Sequence, residues 1–253
     1  MSSEEKVRVR IPKYDIPVLR VKYLLLDVDL LLPHEEIVTE RLNDIARKIE
    51  ELRALDMPIV VAPIPGSTKY LIVDGHHRWA ALKKLGCRKI PSVVIDYFDP
   101  RVRVYTWYPA FSGSSEPLIS ELRRSGLTIS DCDLKIYSLS DEDLIGKAFV
   151  ILSKLEECMY VEGDVEAQRR VLRVLDVLAV KNLIKLVWYG LVSDAAEDLA
   201  KGEIDYILLR KPYTKAEVIS YVREGNVYPP KTTRHVLPFI PAKDYVKLEL
   251  MCV

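Results

Sequence analysis

The chain has 253 residues, enough for one large domain or two smaller ones, each with a sizeable core. Its 37 Lys and Arg residues balance 37 Asp and Glu residues, so no global field attracts nucleic acid or an anionic membrane. Its apolar runs are far shorter than a membrane span and no signal-peptide pattern is present, so we expect a cytoplasmic protein without a membrane or nucleic-acid partner.

The first part of the chain predicts strands alternating with two helices. The helix over 36–54 depends on apolar residues at helical spacing, among them Leu42, Ile45 and Ile49. A second helix is expected over 76–85, ending at Gly86. Short apolar and β-branched runs predict the strands, which are expected at 7–11, within 21–32, and at 58–62, 70–73, 90–97 and 102–108.

The second part continues the alternation, with glycines following several of the helical patterns. Helices are expected over 115–125, 166–180, 194–201 and 215–223, and strands over 148–152, 183–188 and 205–209. We therefore expect an α+β protein that contains α/β elements, with domains at 1–110 and 111–253 packed on each other.

The predicted junction between the strand at 70–73 and the following helix carries an unusual group of basic residues. After Asp74 and Gly75 come His76, His77 and Arg78, in the first turn of the helix. The positive end of a helix dipole favours acidic residues there, whereas these three side chains are potentially cationic. A bound phosphate-type anion would remove that penalty and satisfy the exposed backbone N–H groups. A solvated basic turn is the simpler alternative.

Two carboxylates near these segments each have two interpretations. Asp74 could cap the helix or bind a magnesium ion beside a phosphate. Glu35 follows His34 at a predicted helix entrance, where an acidic residue is ordinary. In the functional interpretation Glu35 is a general base close to the anion site.

A third segment presents polar side chains after a pair of prolines, which exclude a helix there. Its basic and hydroxyl groups suit a carboxylate or phosphate ligand, although a solvated loop is equally consistent with the composition; they are Lys231, Thr232, Thr233, Arg234 and His235.

Other patterns are less informative. Trp107 lies in an aromatic cluster that forms either interdomain core or a pocket wall. The chain contains no P-loop or Rossmann glycine motif. Its four cysteines are scattered without metal-ligand spacing, so we expect reduced structural thiols and no disulfide framework.

The order of these three segments, 33–35, 74–78 and 231–235, resembles the ParB/sulfiredoxin-like superfamily and, within it, the archaeal free L-serine kinases. The superfamily resemblance covers about residues 18–98, whereas the serine-kinase resemblance runs nearly end to end. It implies a ParB/sulfiredoxin-like domain at 1–110 that binds nucleotide and phosphate, and an α+β domain at 111–253 that completes the serine site.

The resemblance also implies a reaction, in which a phosphoryl group passes from ATP or ADP to the hydroxyl of free L-serine. Glu35 matches the family's catalytic glutamate, and the turn from Asp74 to Arg78 matches its phosphate-handling segment. Magnesium is the expected metal, with Asp74 as its ligand. The segment 231–235 matches a loop that closes on the amino acid, and Trp107 matches a pocket residue.

A nucleotide-switched DNA-binding or partition module is the alternative, because ParB proteins bind a nucleotide through a similar turn. Residues 111–253 show no helix-turn-helix region of the kind that follows this domain in DNA-partition proteins. Sulfiredoxins carry a cysteine in the corresponding turn. Residues 75–78 contain no cysteine, so sulfinic-acid repair is not expected.

Overall fold

A computed structural model describes residues 8–252. Within this range the chain divides into two compact units. Of these residues, the first unit comprises 14–104 and 213–252, and the second comprises 8–13 together with 105–212. The α-helices, numbered in chain order, are α1 Thr39–Leu52, α2 His76–Lys84, α3 Glu116–Arg124, α4 Val165–Val180, α5 Val192–Lys201 and α6 Lys215–Arg223.

The strands are mostly short. In chain order they are β1 Arg8–Arg10, β2 Val18–Leu19, β3 Leu24–Asp27, β4 Leu31–Leu32, β5 Ala54–Leu55, β6 Ile59–Pro63, β7 Tyr70–Asp74, β8 Lys89–Val94, β9 Arg103–Thr106, β10 Tyr108–Ser112, β11 Ile129–Asp131, β12 Lys147–Ser153, β13 Cys158–Glu162, β14 Lys185–Tyr189, β15 Tyr206–Leu209, β16 Thr233–Val236, β17 Ile240–Pro241 and β18 Val246–Lys247.

The first unit is built on a mixed five-stranded sheet in the order β3-β8-β6-β7-β4. Its pairings alternate between antiparallel and parallel across the sheet. The buried residues of α1 and α2, such as Ile49 and Leu82, pack with Ile59 and Ile72 of the central strands in one core. The centre of this sheet therefore fixes where β7 ends and α2 begins.

The second unit contains a seven-stranded sheet in the order β1-β14-β10-β15-β12-β13-β11. Consecutive residues of β12 face opposite sides of this sheet, as the two-residue period of a strand requires. Phe149 packs in the core formed with α3 and α4, and Val150 packs in the core formed with α5. The sheet thus has helices on both faces, which confirms the predicted mixture of helices and sheets.

The two units do not follow the predicted division at residue 110. The C-terminal segment returns to the first unit, where β18 pairs with β5 and Met251 is fully buried. Conversely, β1 pairs with β14 of the second unit, and Arg10 forms an ion pair with the buried Asp198. Strand pairings between distant segments decide to which unit each terminal segment belongs, and no local change in composition marks the boundaries of the units.

All six predicted helices are present, with ends within a few residues of those expected. The strand predicted at 7–11 corresponds to β1, although Val7 lies outside the described residues. The stretch 21–32 forms two short strands, β3 and β4, separated by a 3₁₀ turn over Val28–Leu30. Several strands escape prediction because they are short or carry charged residues, notably β11 and β13.

The expectation of reduced thiols is wrong. Cys87 forms a disulfide with Cys252, and Cys132 forms one with Cys158. The partners are separated by 165 and 26 residues, so their proximity arises only from the fold.

Across residues 8–252, no helix combines the length and apolar character needed to cross a bilayer.

Candidate active site

The turn between β7 and α2 depends on Gly75, which has a left-handed backbone conformation with φ of 100°. A Cβ atom at this position would lie 2.5 Å from Cγ2 of Ile59. The first hydrogen bond of α2 runs from the N–H of Trp79 to the carbonyl of Gly75, at 3.0 Å. The N–H groups of the first helical residues, His76 to Arg78, consequently have no partner inside the helix and can meet an anion.

The two histidines of this turn act as hydrogen-bond acceptors. Nε2 of His76 accepts the backbone N–H of His34 at 3.3 Å, and Nε2 of His77 accepts the N–H of Val38 at 3.2 Å. Burial lowers the pKa of His76 well below its usual value. Burial, together with Arg41, lowers the pKa of His77 to about 4. The sequence left the charge of these histidines open; in the structure both rings accept a backbone N–H, as neutral imidazoles do, and they join the start of α2 to 34–38.

Arg78 and Asp74 form an ion pair at this turn, with 2.5 Å between Nη2 and Oδ2. Nη1 of Arg78 also donates to the carbonyls of Met57 and Pro58, at 3.0 and 2.8 Å. The guanidinium thus holds the turn against the chain before β6. Gly75 occupies the N-cap position and Asp74 makes no capping bond, so the capping interpretation of Asp74 is wrong.

Glu35 is held by the backbone of the segment 231–233. Oε1 of Glu35 accepts the N–H of Thr233 at 2.6 Å and its hydroxyl at 2.7 Å. Oε2 accepts the N–H of Lys231 at 3.0 Å. A parallel bridge between Glu35 and Tyr228 aligns the two chain segments. Two of the segments predicted from the sequence, 33–35 and 231–235, thereby meet in one cluster.

His34 and His235 complete this cluster. Nε2 of His34 lies 2.8 Å from the hydroxyl of Thr233, and its Nδ1 lies 2.7 Å from the carbonyl of Ile72. The rings of His34 and His235 meet edge to face at 4.9 Å. Nε2 of His235 lies 2.8 Å from the hydroxyl of Tyr97. Burial lowers the pKa of His34, and that of His235 well below its usual value, so both rings are neutral at pH 7.

The remaining residues of the third segment hold it in place. The hydroxyl of Thr232 donates to the carbonyl of Pro229 at 2.8 Å, and Thr232 is fully buried. The guanidinium of Arg234 lies over the ring of Tyr14 at 5.5 Å and donates to its hydroxyl. Lys231 has a φ of 59°, a strained conformation for a residue other than glycine. This conformation accompanies the bond from its N–H to Glu35.

Sequence reasoning missed Tyr97 and Tyr228, which lie beside the cluster. Both are almost fully buried, and burial raises the pKa of each hydroxyl, so both stay protonated. The hydroxyl of Tyr97 lies within hydrogen-bond distance of Nε2 of His235 and helps to hold that ring in place. Neither tyrosine stands in a recognisable motif, and only strand pairing and packing bring them here. Trp107, by contrast, belongs to the second unit, where it packs against the core around α3 and α4.

The cluster contains a carboxylate, Glu35, and is joined through His34 to the start of α2, where backbone N–H groups can meet an anion. Oε2 of Glu35 accepts one hydrogen bond from the described residues and has a further lone pair available. Among residues 8–252 no group of three or more acidic, His or Cys side chains is arranged to hold a metal ion. Oδ1 of Asp74 remains available on an exposed side chain, and a single carboxylate fits Mg²⁺ when nucleotide phosphates and waters supply the other ligands.

Comparison with known proteins identifies the family. The family model of the L-serine kinase SerK C-terminal domain matches residues 106–210, and that of the ParB N-terminal domain matches 18–106. The ATP-dependent L-serine kinase of Staphylothermus marinus is 50% identical, covering 96% of each chain. The ADP-dependent L-serine kinase SerK of Thermococcus kodakarensis is 45% identical, covering 95% of this chain and 97% of the relative.

A solved structure of a free serine kinase in complex with AMP agrees along nearly the whole chain. The TM-score is 0.89 at 43% identity, with 96% of this chain and 99% of the other covered. The chain therefore belongs to the L-serine kinase family, whose N-terminal part is of the ParB type. This confirms the family resemblance and the fold class inferred from the sequence.

Proposed function

We propose that this protein transfers a phosphoryl group from ATP or ADP to the hydroxyl of free L-serine, giving O-phospho-L-serine. The observation that carries the proposal is the position of Glu35, a carboxylate held by two backbone N–H groups with a lone pair of Oε2 that none of residues 8–252 uses. A carboxylate fixed in this way can accept the proton of an attacking hydroxyl. Membership of the L-serine kinase family supports serine as the acceptor.

In the proposed reaction Glu35 removes the hydroxyl proton as the serine oxygen attacks the terminal phosphorus of the nucleotide. The new O–P bond forms while the bond from that phosphorus to the bridging oxygen breaks, leaving ADP or AMP. Phosphoryl transfer requires positioning and neutralisation of charge more than covalent catalysis. The N–H groups of His76, His77 and Arg78 at the start of α2 would bind the phosphate oxygens.

Asp74 is the residue that would hold Mg²⁺, through the oxygen that does not pair with Arg78. The ion would reduce the negative charge on the phosphates. Gly75 would allow the left-handed turn that presents these N–H groups, because a side chain there would meet Ile59. Arg78 holds the turn through the carbonyls of Met57 and Pro58.

For the serine site we propose the segment 231–235. Lys231 and His235 would contact the substrate, and Thr233 would orient Glu35 through its N–H and hydroxyl groups. Thr232 and Arg234, each buried with its own partner, would keep the segment in position. Trp107 stays a predicted pocket residue, with its side chain in the second unit.

Both adenine nucleotides remain in the proposal as donors. The two relatives named above differ in this respect, since one is named ATP-dependent and the other ADP-dependent. The same turn would bind the terminal phosphates of either donor, because backbone N–H groups recognise phosphate and not chain length.

Phosphorus NMR of the protein with Mg²⁺, L-serine and either ATP or ADP tests the function and identifies the donor. We expect a phosphoserine signal that grows with ADP as co-product from ATP, or AMP from ADP. Omission of serine is the control, since nucleotide hydrolysis would then be seen alone. Failure to form phosphoserine from either donor, at elevated temperature as well, would contradict the proposal. Salt-sensitive DNA binding in a mobility-shift assay would then favour the nucleotide-switched module.

A further inference from the structure

A chain of three short contacts links Glu35 to the interior of the first unit. It runs from Oε1 of Glu35 to the hydroxyl of Thr233 at 2.7 Å, and from that hydroxyl to Nε2 of His34 at 2.8 Å. The third contact joins Nδ1 of His34 to the carbonyl of Ile72 at 2.7 Å. Each contact is short enough for a hydrogen bond and so needs one proton.

The protons available can be counted. The carbonyl of Ile72 can only accept, so Nδ1 of His34 carries a proton. Nε2 of His76, which accepts the backbone N–H of His34, lies 3.0 Å from the same Nδ1 and agrees with this tautomer. A neutral His34 then has only an acceptor, Nε2, facing Thr233. When Glu35 is a carboxylate, two protons are available for three contacts. The hydroxyl proton of Thr233 can therefore form a hydrogen bond to Oε1 of Glu35 or to Nε2 of His34, but not to both at once.

We propose that His34 is a positioning residue that acts on Glu35 through Thr233, by offering the Thr233 hydroxyl a second acceptor. The inference rests on the proposed function, in which Glu35 is the general base. While Glu35 is a carboxylate, the hydroxyl donates to it, because a charged acceptor makes the stronger hydrogen bond. When the serine proton arrives on Oε2, Glu35 becomes neutral and the hydroxyl turns to Nε2 of His34. The hydroxyl keeps its own proton throughout and only rotates.

This rotation makes Glu35 a better base. Without His34, protonation of Glu35 would leave the Thr233 hydroxyl with a neutral carboxyl group, a weaker acceptor than imidazole. His34 thus stabilises the protonated form of Glu35, which is the form that develops in the transition state. The pKa of His34 is lowered by burial, so Nε2 remains an acceptor at neutral pH.

Among the described residues, four other ionisable side chains are placed around Glu35 and His34. His76 from α2 and His235 from β16 face the ring of His34, and Asp74 at the end of β7 acts on it through its charge. Tyr228 lies opposite Glu35 in the bridge between the two segments. The two histidines are neutral at pH 7 and Tyr228 stays protonated, so the protonation of Glu35 is the change that turns the hydroxyl.

Nitrogen NMR of the protein with ¹⁵N-labelled histidine tests the rotation without any turnover. Glu35→Gln removes the charge, so we expect the Nε2 resonance of His34 to move upfield as it accepts the Thr233 hydroxyl. Thr233→Val removes the hydroxyl and should abolish this response to Glu35→Gln. If the Nε2 resonance of His34 does not move in the Glu35→Gln variant, the inference is wrong, even if the protein makes phosphoserine. If the resonance moves but the protein makes no phosphoserine, the proposed function is wrong and the rotation of the hydroxyl is still supported.

Kinetics with matched variants test the effect on catalysis. His34→Asn keeps a donor for Ile72 but loses the acceptor for Thr233, whereas His34→Gln can place an acceptor near Nε2. We expect His34→Asn to lower kcat about threefold to tenfold with KM for serine little changed, and to move the acidic limb of kcat to lower pH. His34→Gln should restore most of kcat.

The double-variant comparison separates this effect from a structural one. In the Thr233→Val background, adding His34→Asn should lower kcat no further, because the connection is already broken. If His34→Asn lowers kcat equally in both backgrounds and lowers the thermal stability in parallel, the inference is wrong. Better retention of kcat by His34→Asn than by His34→Gln would also overturn it.

Discussion

Thr233 donates both its backbone N–H and its hydroxyl to the same oxygen of Glu35, at 2.6 and 2.7 Å, across 198 residues of sequence. Two donors on one carboxylate oxygen fix the orientation of the carboxylate and restrict its rotation. The strained backbone of Lys231 provides a third donor to Oε2. A base held in this way loses little freedom when the reaction begins.

Glu35→Gln tests the general base directly. The amide cannot take the serine proton, so we expect kcat to fall by about 10²–10⁴-fold while nucleotide affinity is nearly unchanged. Phosphoserine formation and nucleotide binding by calorimetry are the two measurements. Glu40→Gln is the control, since Glu40 is an exposed acidic residue in the first turn of α1. Full activity of the Glu35→Gln variant would show that another group accepts the proton.

Gly75→Ala tests the close approach at the turn. The new methyl would meet the side chain of Ile59 in a left-handed backbone conformation, so we expect weaker nucleotide binding and a lower melting temperature. Gly86→Ala is a matched control, because Gly86 is also left-handed with φ of 76° but has open space within 4 Å of where a Cβ would lie. Both variants lose about 1–2 kcal/mol from the backbone conformation. Only Gly75→Ala should lose more stability than this, and equal losses of stability in the two variants would contradict the packing argument.

The disulfide between Cys87 and Cys252 ties the C-terminal segment to the turn after α2. We expect Cys252→Ser to lower the free energy of unfolding by about 2–4 kcal/mol, measured by denaturant titration of the oxidised protein. Cys158→Ser, which removes the other disulfide, is the comparison in the second unit. Thiol titration of the denatured, unreduced protein should find no free thiol. Four free thiols would mean that neither bond forms in solution.

The neutral histidine at position 77 predicts a pH dependence of stability. Burial and Arg41 lower its pKa from 6.5 to about 4 in the folded protein, so the unfolded chain binds more protons between these values. The free energy of unfolding should therefore fall as the pH decreases from 6.5 to 4. His77→Gln should make this decrease shallower, as followed by denaturant titration at several pH values. An identical slope in both proteins would show that His77 stays solvated.

Much of the helical structure was predictable from the sequence because amphipathic spacing and glycine stops are local signals. The helix expected over 36–54 is Thr39–Leu52, and that expected over 166–180 is Val165–Val180. Short strands such as β11 carry no such signal, since three residues give little periodicity. The pairing of cysteines and the return of β18 to β5 depend on contacts between distant segments, which no local pattern reports.

For the site, the sequence by itself determined the family and the three segments that carry polar chemistry. The order of the motif containing His34 and Glu35, the turn at Gly75 and the segment at Lys231 was sufficient for that. Only the tertiary structure decided that the histidines are neutral acceptors and that Glu35 is held by Thr233. The physical reason is that protonation and hydrogen-bond direction depend on burial and on partners far along the chain, whereas residue type and spacing are properties of the chain alone.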